Sequence, residues 1–233
     1  MQNENYDVDS LAAYLHIEKQ KVEKLASRGK IPGKRIDGDW QFSPAEIHHW
    51  LEKQLGVLDS EELAQMEGAM ARQSSALPED SRISNLLSPE TIAIPFPAKT
   101  KASVIQSITN LAASTGLLWD VEKMVSALRA REEMQSTALE CGVALLHPRR
   151  PLASILAQPL LALGVTPRGV PFGGHSMTDI FWLICSTDET THLKTLARIS
   201  RVLAVEGFLE EIRDATNAQE VYDIVCRIEG GLI

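Results

Sequence analysis

Residues 129–151 read RAREEMQSTALECGVALLHPRRP, and the changes of character along this stretch decide the fold. Its front end continues WDVEKMVSALRAREEM (119–134), where Val121, Met124, Val125 and Leu128 share one helical face and Asp120 is placed to cap the start. The middle, QSTALECG, has no helical period. GVALL is a short β-prone apolar run. It delivers His147 into a turn made by Pro148, with Arg149 and Arg150 behind it. A helix, a polar loop, a strand and a terminal histidine are the parts of an α/β unit. A histidine there is commonly just a strand-end residue, but neutral imidazole is also a nucleophile near neutral pH.

Working outward, KTKASVIQSITNLAASTGLL (99–118) reads as an amphipathic helix with Val104, Ile108, Leu111 and Ala112 on one face and Gly116 ending it. PLLALGVT (159–166) and DIFWLICS (179–186) are apolar runs short enough for buried strands. The second leads into TDETTHLKTLARISRVL (187–203), a helix that Asp188 caps, with Leu193, Leu196, Ala197 and Ile199 to Leu203 on its apolar side. His192 falls in its first turns. NAQEVYDIVCRI (217–228) reads as a closing helix. The expected fold class is α/β, a mixed β-sheet flanked by helices, over residues 83–233.

The N-terminal block, 1–54, has another pattern. DSLAAYLHIEKQKVEKLASR (9–28) gives two short helices, with Leu11, Ala12 and Leu15 on the first, Ile17 in the break, and Val22 and Leu25 on the second. Gly29 suits a left-handed helix end. Asp37-Gly38 between Ile36 and Trp40 signals a hairpin, and Ser43-Pro44 with Glu46 opens a third helix packed through Ile47, Trp50 and Leu51. The expectation is a small, mainly helical winged helix-turn-helix. Between the blocks, 55–82 reads as a short helix, with Leu63, Met66 and Met70 on one face, and a Ser/Pro/Asp/Glu linker. That apolar face offers a homodimer contact.

The bulk numbers narrow the function. The net charge is −8, and residues 1–54 hold eight basic against nine acidic side chains. No segment therefore has the basic excess of a strong nucleic-acid binder. Any DNA contact must come from a local patch. Three cysteines, Cys141, Cys185 and Cys226, lack metal-ligand spacing, so no metal site is expected and reduced thiols are. No apolar run approaches the ~20 residues of a membrane span, and the polar, acidic start MQNENYDVDS is unlike a signal peptide. A cytoplasmic protein without membrane insertion is expected.

Two resemblances follow. The skeleton LAxxLxIxxxxVxxLxxxGxIPxxxxxGxWxF within residues 7–54 resembles the winged helix-turn-helix of excisionase-like and MerR-like DNA-binding domains. That implies DNA as a partner, a reading helix around Glu18–Arg28, and phosphate contacts from Lys19, Lys21, Lys24, Lys34 and Arg35. Glu18 and Glu23 on the same helix depart from it. Residues 84–231 resemble the enzyme IIA domain of the fructose/mannitol class of the bacterial phosphotransferase system, and especially its nitrogen-regulatory branch. The residues carrying this are Arg131-Glu132, Ser136-Thr137, Gly142 to His147, the sixteen-residue spacing of Arg131 from His147, and Thr191-His192-Leu193.

The second resemblance implies a phosphotransfer protein without a cofactor. His147 would accept a phosphoryl group from a phosphorylated HPr-type carrier. It would pass the group to a B-subunit cysteine or another regulatory protein, or keep it as a signal. His192 would steady the group, Arg131 would help hold it, and Ser136 and Thr137 would form the phosphate-binding loop. The family loop is glycine-rich; here STALECG keeps only Gly142, and Glu140 adds an anion. The expected organisation is a helix-turn-helix (1–54), a helix and linker (55–82) and an enzyme IIA-like domain (83–233). The expected function is that of a phosphotransferase-system regulator. The alternatives are a phosphocarrier in sugar uptake and an IIA-like protein-binding module that has lost its chemistry.

Overall fold

Asp7 starts the N-terminal unit. Its carboxylate accepts the Ser10 backbone N–H at 2.7 Å, and hydrogen bonds from Ser10 hold the Asp7 carboxyl below the usual carboxylate range. Helix α1 (Val8–Leu15) buries Leu11 and Ala12; α2 (Lys19–Ser27) buries Val22 and Ala26. Leu15 and Leu25 are only half-buried. Gly29, at φ +65°, ends α2. Strands β1 (Lys34–Ile36) and β2 (Asp39–Gln41) pair antiparallel. Their two-residue turn, Asp37 and Gly38, has positive φ at both positions, which closes a tight hairpin. Helical backbone follows at positions 44, 46, 47, 50 and 51, with Ile47 and Leu51 buried beside Ile31 and Phe42.

The computed structural model describes residues 5–15, 17–44, 46–47, 50–51, 82–173 and 177–232. The chain divides into two compact units, Met1–Ser75 and Ala76–Ile233, a division inside the segment read as helix and linker. The expected helix through Leu63, Met66 and Met70 lies outside the described residues, as do His48, His49 and His175.

The second unit is a mixed α/β fold. Its elements are α3 (Ile83–Leu86), β3 (Ile92–Ala93), α4 (Lys101–Ala113), α5 (Val121–Met134), β4 (Val143–Leu146), β5 (Leu160–Val170), β6 (Thr178–Cys185), α6 (Glu189–Leu203), α7 (Phe208–Asp214) and α8 (Ala218–Gly230). The strands run β3-β5-β6-β4 across one sheet. β3 is parallel to β5, β5 antiparallel to β6, and β6 parallel to β4. The period of two assigns the faces. Ala144, Leu146, Phe181, Leu183 and Cys185 join Val104, Ile108, Met124 and Leu128 of α4 and α5 in one core. Val143, Leu145, Ile180, Trp182 and Ile184 alternate with them and are also buried, on the opposite face. Runs buried on both faces explain why the strands read as continuous apolar stretches.

Several elements differ from the sequence reading. The helix expected over 99–118 stops at Ala113; Gly116 takes φ +74°, and Leu118 forms a bridge with Leu156. β5 runs on to Val170, with its pairing to β6 broken between Val165 and Val170, where Pro167 has no N–H to give the ladder. α3, β3 and α7 were not anticipated. They are too short for periodicity to declare. Val121 is half-buried rather than core.

In β5, Gly164 lies under the Phe96 ring; a Cβ there would approach its carbons at 2.7 and 2.8 Å. Gly164→Ala is therefore expected to destabilise the unit by about 1–3 kcal/mol through overpacking, read as a lower denaturation midpoint with an unchanged slope.

Candidate functional site

The site grows from one strand end. β4 stops at Leu146, and the next residue, His147, is 4% exposed. Its Nδ1 lies 2.8 Å from the Leu145 carbonyl oxygen. A carbonyl can only accept, so Nδ1 carries a proton, and in the neutral ring the lone pair is on Nε2. Arg149 and Arg150 point to solvent.

His192 arrives from the opposite direction in the chain. β6 runs parallel beside β4, with Leu146 opposite Leu183, so both strands end at the same edge of the sheet. α6 begins four residues after β6 ends. Asp188 caps it by accepting the Thr191 N–H at 2.8 Å. The first turn then brings His192, 2% exposed, against His147: the ring centroids are 5.0 Å apart at 57°. Ser186 Oγ lies 3.4 Å from His192 Nδ1. The N-terminal end of α6 adds the partial positive charge of a helix start.

The loop before β4 is laced to it in antiparallel register. Leu139 N–H donates to Val143 O at 2.7 Å, Ala138 bridges Ala144, and Leu145 N–H donates to Thr137 O at 3.2 Å. Arg131, buried in the last turn of α5, donates to the Gln135 carbonyl at 2.9 Å. It thus caps the end of its own helix.

Ser136 and Thr137, expected to bind phosphate, have their hydroxyls committed within the protein. Ser136 Oγ donates to Phe172 O at 3.3 Å. Thr137 Oγ1 donates to the buried Glu132 carboxylate, which also accepts Thr137 N–H at 2.8 Å. Glu140 requires a correction. The turn closed by Gly142 N–H to Leu139 O sits at the opposite end of β4 from His147. At about 3.3 Å per residue, that is roughly 16 Å of strand, too far for Glu140 to crowd a group on His147. Sequence reasoning missed the Leu145 carbonyl, Ser186 and the contacts of Glu132. Main-chain partners leave no residue-type signal, but a carboxylate in the last turn of a helix is a detectable oddity.

Burial raises the thiol of Cys226 above its usual range. Cys141 is exposed, and burial pushes the Cys185 thiol up to about 12.

In the N-terminal unit, Lys19, Lys21, Lys24, Lys34 and Arg35 are all exposed. Lys19 is paired with Asp9 at 2.8 Å, and the Arg35 guanidinium stacks 5.2 Å from the Trp40 ring centroid. Between α2 and the hairpin lies a cleft of about 840 Å³, whose wall mixes Lys24 and Arg35 with Asp9, Glu23 and Asp39.

A mixed sheet between helix layers, two imidazoles facing each other at the strand ends, and a separate helix-turn-helix unit define the class: an enzyme IIA-type α/β protein with a helix-turn-helix domain. The chain belongs to the family described as phosphoenolpyruvate-dependent sugar phosphotransferase system, EIIA 2, whose model matches residues 85–227. A helix-turn-helix domain model matches residues 6–55. The nitrogen regulatory protein of Pseudomonas aeruginosa is 26% identical over 154 residues, covering 64% of this chain and 98% of that protein. The fructose-specific EIIABC component of Bacillus subtilis is 27% identical over 148 residues, covering 62% of this chain but only 23% of that larger protein. Among solved structures, the nitrogen regulatory protein IIA-Ntr of Neisseria meningitidis superposes with a TM-score of 0.55 at 21% identity, over 61% of this chain and 98% of that one. The Escherichia coli complex of mannitol enzyme IIA with phosphorylated enzyme IIB gives 0.52 at 20%, over 60% and 97%. These structures show the shared fold. No helix among the described residues is long and apolar enough to cross a membrane.

Because Asp188 fixes the start of the helix that carries His192, Asp188→Ala is expected to cost about 1 kcal/mol. It should also broaden the His192 imidazole resonances while leaving the backbone amide resonances of α8 unchanged, as read by NMR.

Proposed function

We propose that this protein is a cytoplasmic regulator of the phosphotransferase system, in which His147 is phosphorylated and its state governs what the helix-turn-helix domain engages. The observation that carries this reading is the pair of buried imidazoles 5.0 Å apart, with the proton of His147 held on Nδ1 by the Leu145 carbonyl. The Nε2 lone pair would attack the phosphorus of a phosphohistidine on an HPr-type carrier. The donor N–P bond breaks as the new one forms, and the donor ring keeps the electron pair. The Nδ1 proton stays on His147, so the modified ring bears a positive charge against the phosphoryl oxygens. His192 and the helix start beside it stabilise those oxygens, and Arg131 adds charge from the end of α5. Ser136 and Thr137 shape the loop that borders the site.

The relatives support this assignment: the Pseudomonas aeruginosa protein is named a nitrogen regulatory protein, and the Escherichia coli complex pairs mannitol enzyme IIA with phosphorylated enzyme IIB. A B-type subunit or another regulatory protein is the matching partner here. The helix-turn-helix domain favours regulation over carriage alone. DNA is its proposed ligand, through Lys21, Lys24, Lys34 and Arg35, with Lys19 partly neutralised by Asp9.

Incubation with phosphorylated HPr-type carrier, followed by mass spectrometry under mildly basic conditions, tests the chemistry. The wild type is expected to gain one phosphoryl group, His147→Ala none, and His192→Ala to react about tenfold to a hundredfold more slowly. Uptake by His147→Ala at the wild-type rate would sink the assignment. For the DNA half, replacing both Lys34 and Arg35 with Ala is expected to reduce the slope of log affinity against log salt by about 2. Absence of binding to any duplex at low salt refutes it.

A further inference from the structure

Two charged residues sit on helix ends of the wrong sign. Lys101 is the first residue of α4, at the positive end of its dipole. Glu132 is in the last turn of α5, at the negative end of its own. Each placement is unfavourable by itself. Glu132 is also nearly sealed, its side chain 2% exposed, and burying a carboxylate costs far more than a surface pair returns. The two meet at 2.9 Å, Lys101 Nζ to Glu132 Oε2, while the Lys101 ammonium lies 5.1 Å from the Phe172 ring centroid. Apolar residues of similar size often match a buried ion pair in stability, so the pairing is weak evidence for a role in packing alone.

What Glu132 does besides is specific. Its Oε1 accepts both the N–H and the hydroxyl of Thr137. Thr137 O accepts Leu145 N–H at 3.2 Å, and Leu145 O fixes His147 Nδ1 at 2.8 Å. A continuous series of hydrogen bonds therefore runs from the Lys101–Glu132 pair to the imidazole. The far side is closed too: a Cβ on Gly173 would stand 2.9 Å from Ser136 Oγ and 3.6 Å from Lys101 Nζ.

Resting on the reading of His147 as phosphoryl acceptor, we propose that Glu132, charge-paired with Lys101, is a positioning residue for His147. By gripping Thr137 it holds the loop in register with β4. The Leu145 peptide then presents its carbonyl to Nδ1 and leaves the nucleophilic lone pair on Nε2. Lys101, 2.9 Å from Oε2, is the counter-charge that orients the carboxylate.

The test uses the full-length chain and two readouts. Long-range proton–nitrogen correlation across the imidazoles, assigned with His147→Ala, reports the His147 tautomer without any phosphodonor. Phosphoryl uptake from phosphorylated HPr-type carrier reports the rate. Glu132→Leu keeps the volume apolar and lets Lys101 reach water. It is expected to fold, to show mixed His147 tautomers, and to take up phosphate about tenfold to a hundredfold more slowly. Glu132→Gln keeps an oxygen for the Thr137 N–H, so it should retain the Nδ1–H tautomer and stay within about threefold of the wild-type rate. Should Glu132→Leu fail to fold, Thr137→Val serves instead: it deletes the hydroxyl alone and should partly mix the tautomers. A wild-type Nδ1–H tautomer in folded Glu132→Leu, or in Thr137→Val where that stands in, overturns the proposal whatever the rate. If the wild type takes up no phosphate, the functional reading falls, and the tautomer comparison still decides the positioning claim.

Discussion

The parallel pairing of β4 with β6 is the constraint on which the site depends. Parallel neighbours end at the same edge of a sheet, so a residue just past β4 and a helix starting just past β6 are brought together although they lie far apart in sequence. The register is set by burial on both faces. A slip of one residue would turn Leu145 and Trp182 to the side now filled by Leu146 and Leu183, and would rotate His147 away from α6. The cost of that slip is a mispacked core, about 1–3 kcal/mol for each side chain that no longer fits. The apolar core thus holds the two histidines in proximity.

Much of this was legible in the sequence because its signals are strong and local. The caps Asp120 and Asp188 were read from residue type and position, and both accept the expected N–H. The hairpin at Asp37-Gly38 followed from the need for positive φ. GVALL announced a strand by composition, and the histidine after it was visible by inspection. The convergence of His147 and His192 was reached only through a family resemblance, since nothing in 44 intervening residues specifies strand order. The parts that stayed hidden share a physical cause. The Leu145 carbonyl and the break in β5 are main-chain features; α3, β3 and α7 are too short for a period to register.

The helix-turn-helix unit shows the limits of counting cations. Five basic side chains point outward, yet the same surface carries Asp9, Glu23 and Asp39, and the Lys19–Asp9 pair removes one charge from the long-range field. A surface of this mixed charge supplies little non-specific electrostatic attraction for a polyanion. Such a surface is also easily switched, because a small change in local charge is a large fraction of its total.

The glycine-poor loop acquires a different meaning once its two ends are separated. The Ser136-Thr137 end is tied to Glu132 and to the strand that carries His147. The Glu140–Gly142 end belongs to the opposite edge of the sheet. There Gly142, at φ +86°, leaves room for Arg213, which makes two bonds to Asp179 and one to the Cys141 carbonyl. Hydrogen bonds to Asp179 raise the Arg213 guanidinium further above its usual range. The sole glycine kept is the one where a Cβ would meet those two side chains at 3.0 Å. The remainder of the loop is bonded to β4 through Leu139 N–H to Val143 O and Leu145 N–H to Thr137 O.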